Sequence, residues 1–481
     1  MKFQAVIGLE IHAQISAKTK MFCRCSSDSF SRTPNSNVCP VCMGFPGQLP
    51  VLNKNVIEKA IVAAMALNCK ISTNSKFDRK NYFYPDNPKG FQISQYDEPL
   101  SKNGYVDVLI LDDSGSSVAN KKVRINRLHI EDDAGKLMHI SNGTLLDFNR
   151  SGCPLMEIVS EPDMNSAIEA KFYAREIQKI LRYVGSSEAD MEKGMMRFDA
   201  SVSIREEGDK SLNPRAEIKN LNSFKSLENA INYEFERQVA LWNDGKPLRS
   251  PVTLGWNDEK GETYFMRDKE ESDDYRYFPE PDLPPLKFEE GFLDGFVVPR
   301  LPKEKKQFYM DTYKISEDDA RILSDSRSLS EYFEKVVELT GDPKMAVSFI
   351  NTVLMMYLKE DFVDIENQKV TPELLSKLII LIKENKISKN IAKGDVFKEM
   401  YASGKDPNVI IEEKGLKSVD DSNLIEEICK KVLSDNPKSV EDIKNGKLKA
   451  LSFLVGMVMK ESKGQANALI VQEILKKILE V

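Results

Sequence analysis

The sequence predicts an α+β domain followed by two all-helical modules. Three observations carry this reading. Strand-period and helix-period segments alternate through residues 1–293. Around Pro279, Pro281, Pro284 and Pro285 the chain turns proline-rich, and strand signals stop beyond it. From 300 to 400 apolar residues recur at helical spacing, and a polar stretch through Ser403, Gly404, Lys405, Asp406 and Pro407 parts them from a last helical module. The expected domains are therefore 1–293, 294–405 and 406–481. At 481 residues the chain is too long for a single core, which agrees with a division of this kind.

Each element has its own signal. Val6 to Ile15 alternates like a half-buried strand. Ile57, Ile61, Ala64 and Met65 give residues 55–68 a helical spacing. Ile168, Phe172, Ile180, Leu181 and Val184 do the same for 166–184, where Gly185 is a natural stop. Met196 to Arg205 is the cleanest strand. Met196, Phe198, Ala200, Val202 and Ile204 share one face, and Arg197, Asp199, Ser201, Ser203 and Arg205 the other. Residues 224–243 read as an amphipathic helix with Leu227, Ile231, Phe235, Val239 and Trp242 in a stripe. Further on, Tyr332 to Leu339, Met345 to Leu358 and Pro372 to Asn385 read as helices. The last module shows stripes at Leu448, Leu451, Leu454, Val455 and Val458, then at Ile470, Ile474, Leu475, Ile478 and Leu479.

Composition narrows the class. A chain that is 41% hydrophobic and 30% charged reads as an ordinary soluble globular protein. No apolar run approaches the ~20 residues of a membrane span. Met1-Lys2-Phe3-Gln4 lacks the features of a signal peptide, so a cytoplasmic protein is expected. A net charge of -7 argues against a surface coated in positive charge for bulk nucleic-acid binding. A local basic patch remains: Lys444, Lys447, Lys449 and Lys460 lie without an intervening acid around an Asn445-Gly446-Lys447 turn. A solvated helix face is the alternative for those lysines.

Seven cysteines in a reducing compartment are not a disulfide framework. Four of them form two close pairs, Cys23-x-Cys25 and Cys39-Pro40-Val41-Cys42, within an insertion at 23–42. Two knuckles of two thiolates match a tetrahedral zinc site, and four thiolates leave no open position, so such zinc is structural. Reduced cysteines without metal are the alternative. Cys69, Cys153 and Cys429 are scattered and read as packing residues.

The chemistry-bearing residues sit on strands. Only three histidines occur in the chain. His12 stands in Gly8-Leu9-Glu10-Ile11-His12, and His129 opens His129-Ile130-Glu131-Asp132-Asp133-Ala134-Gly135-Lys136. Residues two apart on a strand share a face, so Glu10 projects with His12, and His129 with Glu131 and Asp133. Such oxygen- and nitrogen-rich clusters suit a hard cation and its phosphate ligand; solvated ion pairs on a sheet surface are the alternative. The usual nucleotide cradles, Gly-x4-Gly-Lys-Ser/Thr and Gly-x-Gly-x-x-Gly, are missing from the sequence, as is a Gly-x-Ser-x-Gly elbow. The remaining acids, histidine and arginines (Glu10, His12, Glu131, Asp132, Glu157, Asp199, Arg197 and Arg205) suit magnesium-assisted phosphoryl transfer without a P-loop.

A series of strings then resembles one family along essentially the whole chain. They are Gly8-Leu9-Glu10-Ile11-His12, the cysteine quartet, Tyr82-Phe83-Tyr84-Pro85-Asp86 with Pro88-Lys89-Gly90, and the His129 segment. Next come Pro154-Leu155-Met156-Glu157-Ile158-Val159-Ser160-Glu161-Pro162-Asp163, Met196-Arg197-Phe198-Asp199 and Glu217-Ile218-Lys219-Asn220-Leu221-Asn222-Ser223-Phe224. The series closes with Asp274-Tyr275-Arg276-Tyr277-Phe278-Pro279-Glu280-Pro281-Asp282-Leu283. Together they resemble the B-subunit family of the GatCAB-type glutamyl-tRNA(Gln)/aspartyl-tRNA(Asn) amidotransferases. The resemblance implies a glutamine-synthetase-like cradle domain, a helical domain and a small tail domain that contacts tRNA. It implies phosphorylation, by ATP with Mg2+, of the side-chain carboxylate of glutamate or aspartate mischarged onto tRNA. Ammonia released by an amidase subunit then displaces the phosphate, in a heterotrimer completed by a small third subunit.

The resemblance also assigns residues. Glu10, His12, Glu131 and Glu157 match metal positions, and Asp132 and Asp199 are the next candidates. Lys80 and Lys89 match an ammonia path. Arg197, Arg267 and Arg276 are candidates to hold phosphates or the tRNA 3′ end, with solvated surface arginine as the alternative. Lys447, Lys449 and Lys463, in Gly446-Lys447-x-Lys449-Ala450 and Lys463-Gly464-Gln465-Ala466-Asn467, match the tRNA-contacting tail. Three departures stand out. Glu131-Asp132-Asp133 replaces Glu-Glu-Asp, which favours a water-mediated over a direct role for Asp132. Phe198 stands where cysteine is expected, and Thr352 follows Asn351 where tryptophan is expected; both lie on core faces. Two other readings compete: a non-catalytic tRNA-binding scaffold, and a zinc hydrolase, which needs an open zinc position that the quartet does not offer.

Overall fold

The computed structural model describes residues 2–112, 117–268, 272–416, 422–444, 449–462, 466 and 468–479. The chain forms two compact units, Met1–Leu301 and Pro302–Val481. No helix among the described residues is long and apolar enough to cross a membrane.

The first unit is built on a nine-stranded sheet. In chain order its strands are β1 (Phe3–Gln14), β2 (Lys70–Ile71), β3 (Ser101–Leu111), β4 (Ser117–Asp132), β5 (Pro154–Ser160), β6 (Met196–Glu206), β7 (Ala216–Leu221), β8 (Val252–Asn257) and β9 (Glu262–Asp268). They lie in the spatial order β9-β8-β7-β6-β1-β5-β4-β3-β2, with β1 in the middle. Neighbours run antiparallel except β7 and β8, which are parallel.

Three helices cover one face: α1 (Lys54–Ala66), α2 (Ala167–Tyr183) and α3 (Phe224–Asn243). The alternate residues Ile7, Leu9, Ile11 and Ala13 of β1, Met156 and Ile158 of β5, Leu128 and Ile130 of β4, and Met196, Phe198, Ala200 and Val202 of β6 enter the core beneath them. The intervening residues therefore share the other face. Ser166 caps α2, accepting from the Glu169 N–H, and Gly185 at φ +68° ends it, as the sequence indicates. β1 is less half-buried than expected: Ala5 through Leu9 are all buried, because both faces of this central strand are covered there.

The α3 stripe also differs. Leu227 and Ile231 are buried as expected, but Glu234 and Gln238 are buried beside them while Phe235 and Val239 are only partly covered. Gln238 Nε2 donates to the Val202 carbonyl at 3.0 Å and to Glu234 at 2.7 Å, and Arg237 pairs with Glu234 at 2.8 Å. A paired polar network costs little to bury. The unit also runs past 293, because Phe296, Val298 and Leu301 pack on the same core.

Every described element of the second unit is helical. One core is formed by the helices from Pro302–Tyr313 to Pro407–Lys414, with Tyr309, Phe333, Phe349 and Phe397 buried in it. Pro343–Phe349 continues through a π turn, Ile350–Leu354, into Met355–Asp361, as the single apolar segment suggested. The expected cut at 405 falls inside this core. Asp406 caps Pro407–Lys414, and Ile410 and Ile411 of that helix are buried with the preceding ones. A smaller core gathers Leu451, Leu454 and Val458 with Val471, Leu475 and Leu479. Leu448 lies outside the described residues.

Candidate active site

Strand register assembles a row of ionisable groups on the helix-free face. His12 on β1 stands opposite Glu157 on β5, and Glu157 stands opposite His129 on β4. On the other flank His12 faces Arg197 and Glu10 faces Asp199, both on β6. The row thus spans β4, β5, β1 and β6, and every member comes from the intervening set of positions. Strand alternation predicts that sharing within β1 and β4; the register that brings the strands together has no sequence signal of its own.

The groups are close and shielded. His12 Nδ1 lies 3.8 Å from Glu131 Oε1 and 3.9 Å from Glu157 Oε2, and its Nε2 lies 3.8 Å from Asp199 Oδ2. His129 Nε2 is 3.4 Å from Glu157 Oε2 and 3.7 Å from Glu131 Oε2. Ser94 Oγ donates to Glu131 Oε2 at 2.9 Å. Lys219, on β7, donates to Asp199 Oδ2 at 2.7 Å and pairs with Glu217 Oε1 at 3.0 Å. Lys219 and Glu217 stand in one of the strings that carry the resemblance, but the sequence reading gave neither a role. Their spacing of two on a strand was the available signal, and it carries nothing without the neighbouring strand.

Charge coupling in the row is strong. Burial raises the Glu10 carboxyl, and the Glu157 charge adds to that rise. Burial is the largest influence on His12 and His129 and works against their charged forms, but Glu157 together with Asp199 for His12, and Glu157 together with Glu131 for His129, outweighs it and both rings are raised. Glu157 is held well below the ordinary carboxylate range in spite of burial, because both imidazoles face it. Asp199 is likewise lowered in spite of burial, by Lys219 and then His12.

The donor set fits a hard divalent cation. Ligand atoms of Glu10, His12 and Glu157, of His129, Glu131 and Glu157, and of Glu10, Asp199 and Glu217 lie within 4.8 Å of one another in each trio. His12 Nδ1 is buried with no hydrogen-bond partner, although three carboxylates surround the ring. A bound cation is one arrangement that would satisfy this nitrogen.

The other expected residues are distributed around this row. Asp132 is not brought to it. Adjacent to Glu131, it has the parity of the core residue Ile130, pairs with Lys89, and accepts from the Ile93 N–H at 2.8 Å. Lys89 is therefore on the Asp132 side. Lys80 lies over the Tyr275 ring at 4.8 Å; burial opposes its charge, but Tyr277 and then Glu131 and Glu157 raise its pKa. Tyr277 stacks on Tyr96 at 4.4 Å, so aromatic rings border Lys80. Arg197 is held by Asp133 at 3.1 Å, and Asp133 also meets Arg150 at 3.4 Å. Arg276 is exposed beside Tyr275 and Tyr277, whereas Arg267 is exposed on β9, the edge strand. Lys447 and Lys463 lie outside the described residues, as does the side chain of Lys449, which opens the helix Lys449–Glu461.

The cysteine quartet does come together. The Sγ atoms of Cys23, Cys25, Cys39 and Cys42 lie within 4.8 Å of one another, and all four are free thiols. The Cys39 N–H donates to Cys42 Sγ at 3.2 Å. Cys42 is pushed down to about 5 by the Cys23 hydrogen bond and the Lys20 ammonium, against the effect of burial. Four converging thiols with an N–H···S bond fit a closed zinc site. Cys69, Cys153 and Cys429 are buried, as expected.

Known proteins resemble the chain over its full length. A family model described as the GatB/GatE catalytic domain matches residues 5–294, and one described as the GatB domain matches 331–479. Proteins named as the B subunit of aspartyl/glutamyl-tRNA(Asn/Gln) amidotransferase from Caldicellulosiruptor saccharolyticus and Thermotoga maritima are each 46% identical to it over 100% of both chains. One of the same name from Persephonella marina is 44% identical over the same share. The first of these models alone spans more than half of the chain, including every residue of the polar row, and the chain belongs to the GatB/GatE family.

Proposed function

We propose that this chain is the transamidating subunit of a tRNA-dependent amidotransferase, a carbon–nitrogen ligase acting on Glu-tRNA(Gln), Asp-tRNA(Asn) or both. The observation that carries the proposal is the row of Glu10, His12, Glu157, Glu131 and Asp199 across four neighbouring strands of the domain that the catalytic family model covers. The names of the full-length relatives support it.

The chemistry follows from the substrate. A carboxylate is a poor acyl donor, because its leaving group would be an oxide. A side-chain oxygen therefore attacks the γ-phosphorus of ATP and ADP leaves. Ammonia then attacks the carbonyl carbon of the acyl phosphate, inorganic phosphate leaves, and the nitrogen loses a proton. Glu10, His12, Glu131 and Glu157 would hold Mg2+, which when bound neutralises phosphoryl oxygens. Asp199 and Glu217 fix the Lys219 ammonium beside that row, and Lys80 brings a second ammonium under its aromatic border. Both cations would hold phosphate oxygens, with Arg197 at the margin. Burial of the row limits hydrolysis of the acyl phosphate.

The remaining roles follow the same reading. The first unit acts as a glutamine-synthetase-like cradle, the quartet holds structural zinc, and Lys80 and Lys89 border the ammonia path. Ammonia comes from an amidase subunit, and a small third subunit makes up a cytoplasmic heterotrimer. The last helices, with Lys447, Lys449 and Lys463, form a tail that contacts tRNA through phosphates.

The test combines the chain and its amidase partner with ATP, Mg2+, ammonium and mischarged Glu-tRNA(Gln) or Asp-tRNA(Asn), and identifies the amino acid released from the tRNA. Glutamine or asparagine formed only with ATP is expected, and it should vanish in His12→Ala while tRNA affinity stays nearly unchanged. Tight tRNA binding without any ATP-dependent product from either substrate makes the chain a tRNA-binding scaffold instead.

A further inference from the structure

Lys20 is a fully buried cation without an acid. Its exposure is 0%, and it makes no ion pair with a carboxylate among the described residues. A buried ammonium is costly unless a counter-charge or several acceptors compensate it. Its Nζ donates to the Asn37 carbonyl at 2.8 Å and to Cys42 Sγ at 3.7 Å. Asn37 supplies a neutral oxygen, so among the described residues the hydrogen-bond partner of the ammonium that can carry a negative charge is the Cys42 sulfur of the quartet. The Lys20 backbone N–H donates to the Cys25 carbonyl at 2.9 Å, so this one residue is tied to both cysteine knuckles.

Gly152 lies against the pair, where a Cβ would stand 3.1 Å from the Cys42 Cβ and 3.7 Å from the Lys20 Cδ. Ser151 Oγ donates to the Cys42 carbonyl at 3.2 Å, and the Met21 N–H donates to the Gly152 carbonyl at 2.9 Å. The lysine is thus clamped between the quartet and the turn that leads into β5.

We propose that Lys20 is a positioning residue for a bound zinc ion: its ammonium offsets the double negative charge of zinc held by four thiolates and fixes the Cys42 sulfur. The inference rests on reading the quartet as a zinc site. Zinc with four thiolates carries two net negative charges, and a buried site of that charge is destabilised unless donors surround the sulfurs. Cys42 receives two such donors, the Cys39 N–H and Lys20 Nζ. The lysine is the charged one, and among the described residues no carboxylate offsets its burial.

The test uses the full-length zinc-loaded protein and its Lys20→Met variant, which keeps the aliphatic volume without the charge. Zinc transfer to a competing chelator reads the affinity, and the absorption of the cobalt-substituted protein reads the sulfur environment. Lys20→Met should bind zinc about 10–100-fold more weakly, the usual effect of removing a partner of a metal ligand, with a shifted sulfur-to-cobalt band. Equal zinc retention and an unchanged band overturn the proposal. If the variant does not fold, wild-type protein decides: Lys20 should resist an amine-acylating reagent with zinc in place and react once zinc is stripped. A Lys20 that reacts with zinc bound, or stays unreactive after stripping, overturns it. Wild-type protein that takes up no zinc removes the quartet reading itself, independently of the lysine.

Discussion

Glu131 and Asp132 are consecutive and face opposite sides of the sheet. Glu131 meets His12, His129 and Ser94, whereas Asp132 holds Lys89 and the Ile93 N–H. Their amides should therefore behave differently. Glu131→Gln removes a member of the polar row and should lower ammonium-dependent amidation by roughly 100-fold with little change in stability. Asp132→Asn leaves the nearly buried Lys89 without its acid, so it should cost about 3 kcal/mol of stability while activity per folded molecule falls by less than roughly tenfold. Denaturant midpoints and initial rates on both variants separate the two; equal losses of rate would place Asp132 in the chemistry. At this scale much of the site was legible. Glu10 with His12, and His129 with Glu131, follow from a spacing of two on strands. Lys219 and Lys20 were not legible, because each draws its importance from partners on another segment, the first on β6 and the second at Cys42.

Elements with local signals were read closely. The helix ended by Gly185 and the alternating strand β6 both match, since a cap and a period of two are properties of the segment itself. The α3 stripe was misread because Glu234 and Gln238 satisfy each other and the Val202 carbonyl, so polar residues occupy the core side. β3 and most of β4 escaped notice, the end that bears His129 and Glu131 excepted, as Lys121, Lys122 and Arg124 break up the apolar pattern on the longest strand of the sheet. That pair has its own packing constraint at Gly104, where a Cβ would lie 2.3 Å from Cys69 Sγ and 2.7 Å from the Leu67 carbonyl oxygen. The carbonyl belongs to the turn after α1, which also receives the Tyr105 N–H at 3.0 Å, so it cannot move aside alone. Gly104→Ala should therefore destabilise the first unit by on the order of 3 kcal/mol, seen as a lower denaturant midpoint. An unchanged midpoint would mean that the turn relaxes freely.

At the scale of the whole chain, the proline-rich run marked the end of the first unit to within a short segment. The segment was missed because Phe296, Val298 and Leu301 return to the core after the strand pattern has ended. The polar stretch at 403–407 looked like a boundary, yet it is a helix cap whose helix buries Ile410 and Ile411 with the preceding helices. Loop composition tells where a chain turns and not which core the next helix joins. The central claim for the chain is that its polar row serves phosphorylation of a carboxylate before amidation. The most direct measurement charges tRNA(Gln) with glutamate carrying 18O in both side-chain oxygens, then runs one round of ATP- and ammonium-dependent amidation. Carboxylate phosphorylation predicts one 18O in the released inorganic phosphate for each glutamine formed, with the other retained in the amide. Phosphate free of 18O, alongside glutamine product, would contradict it.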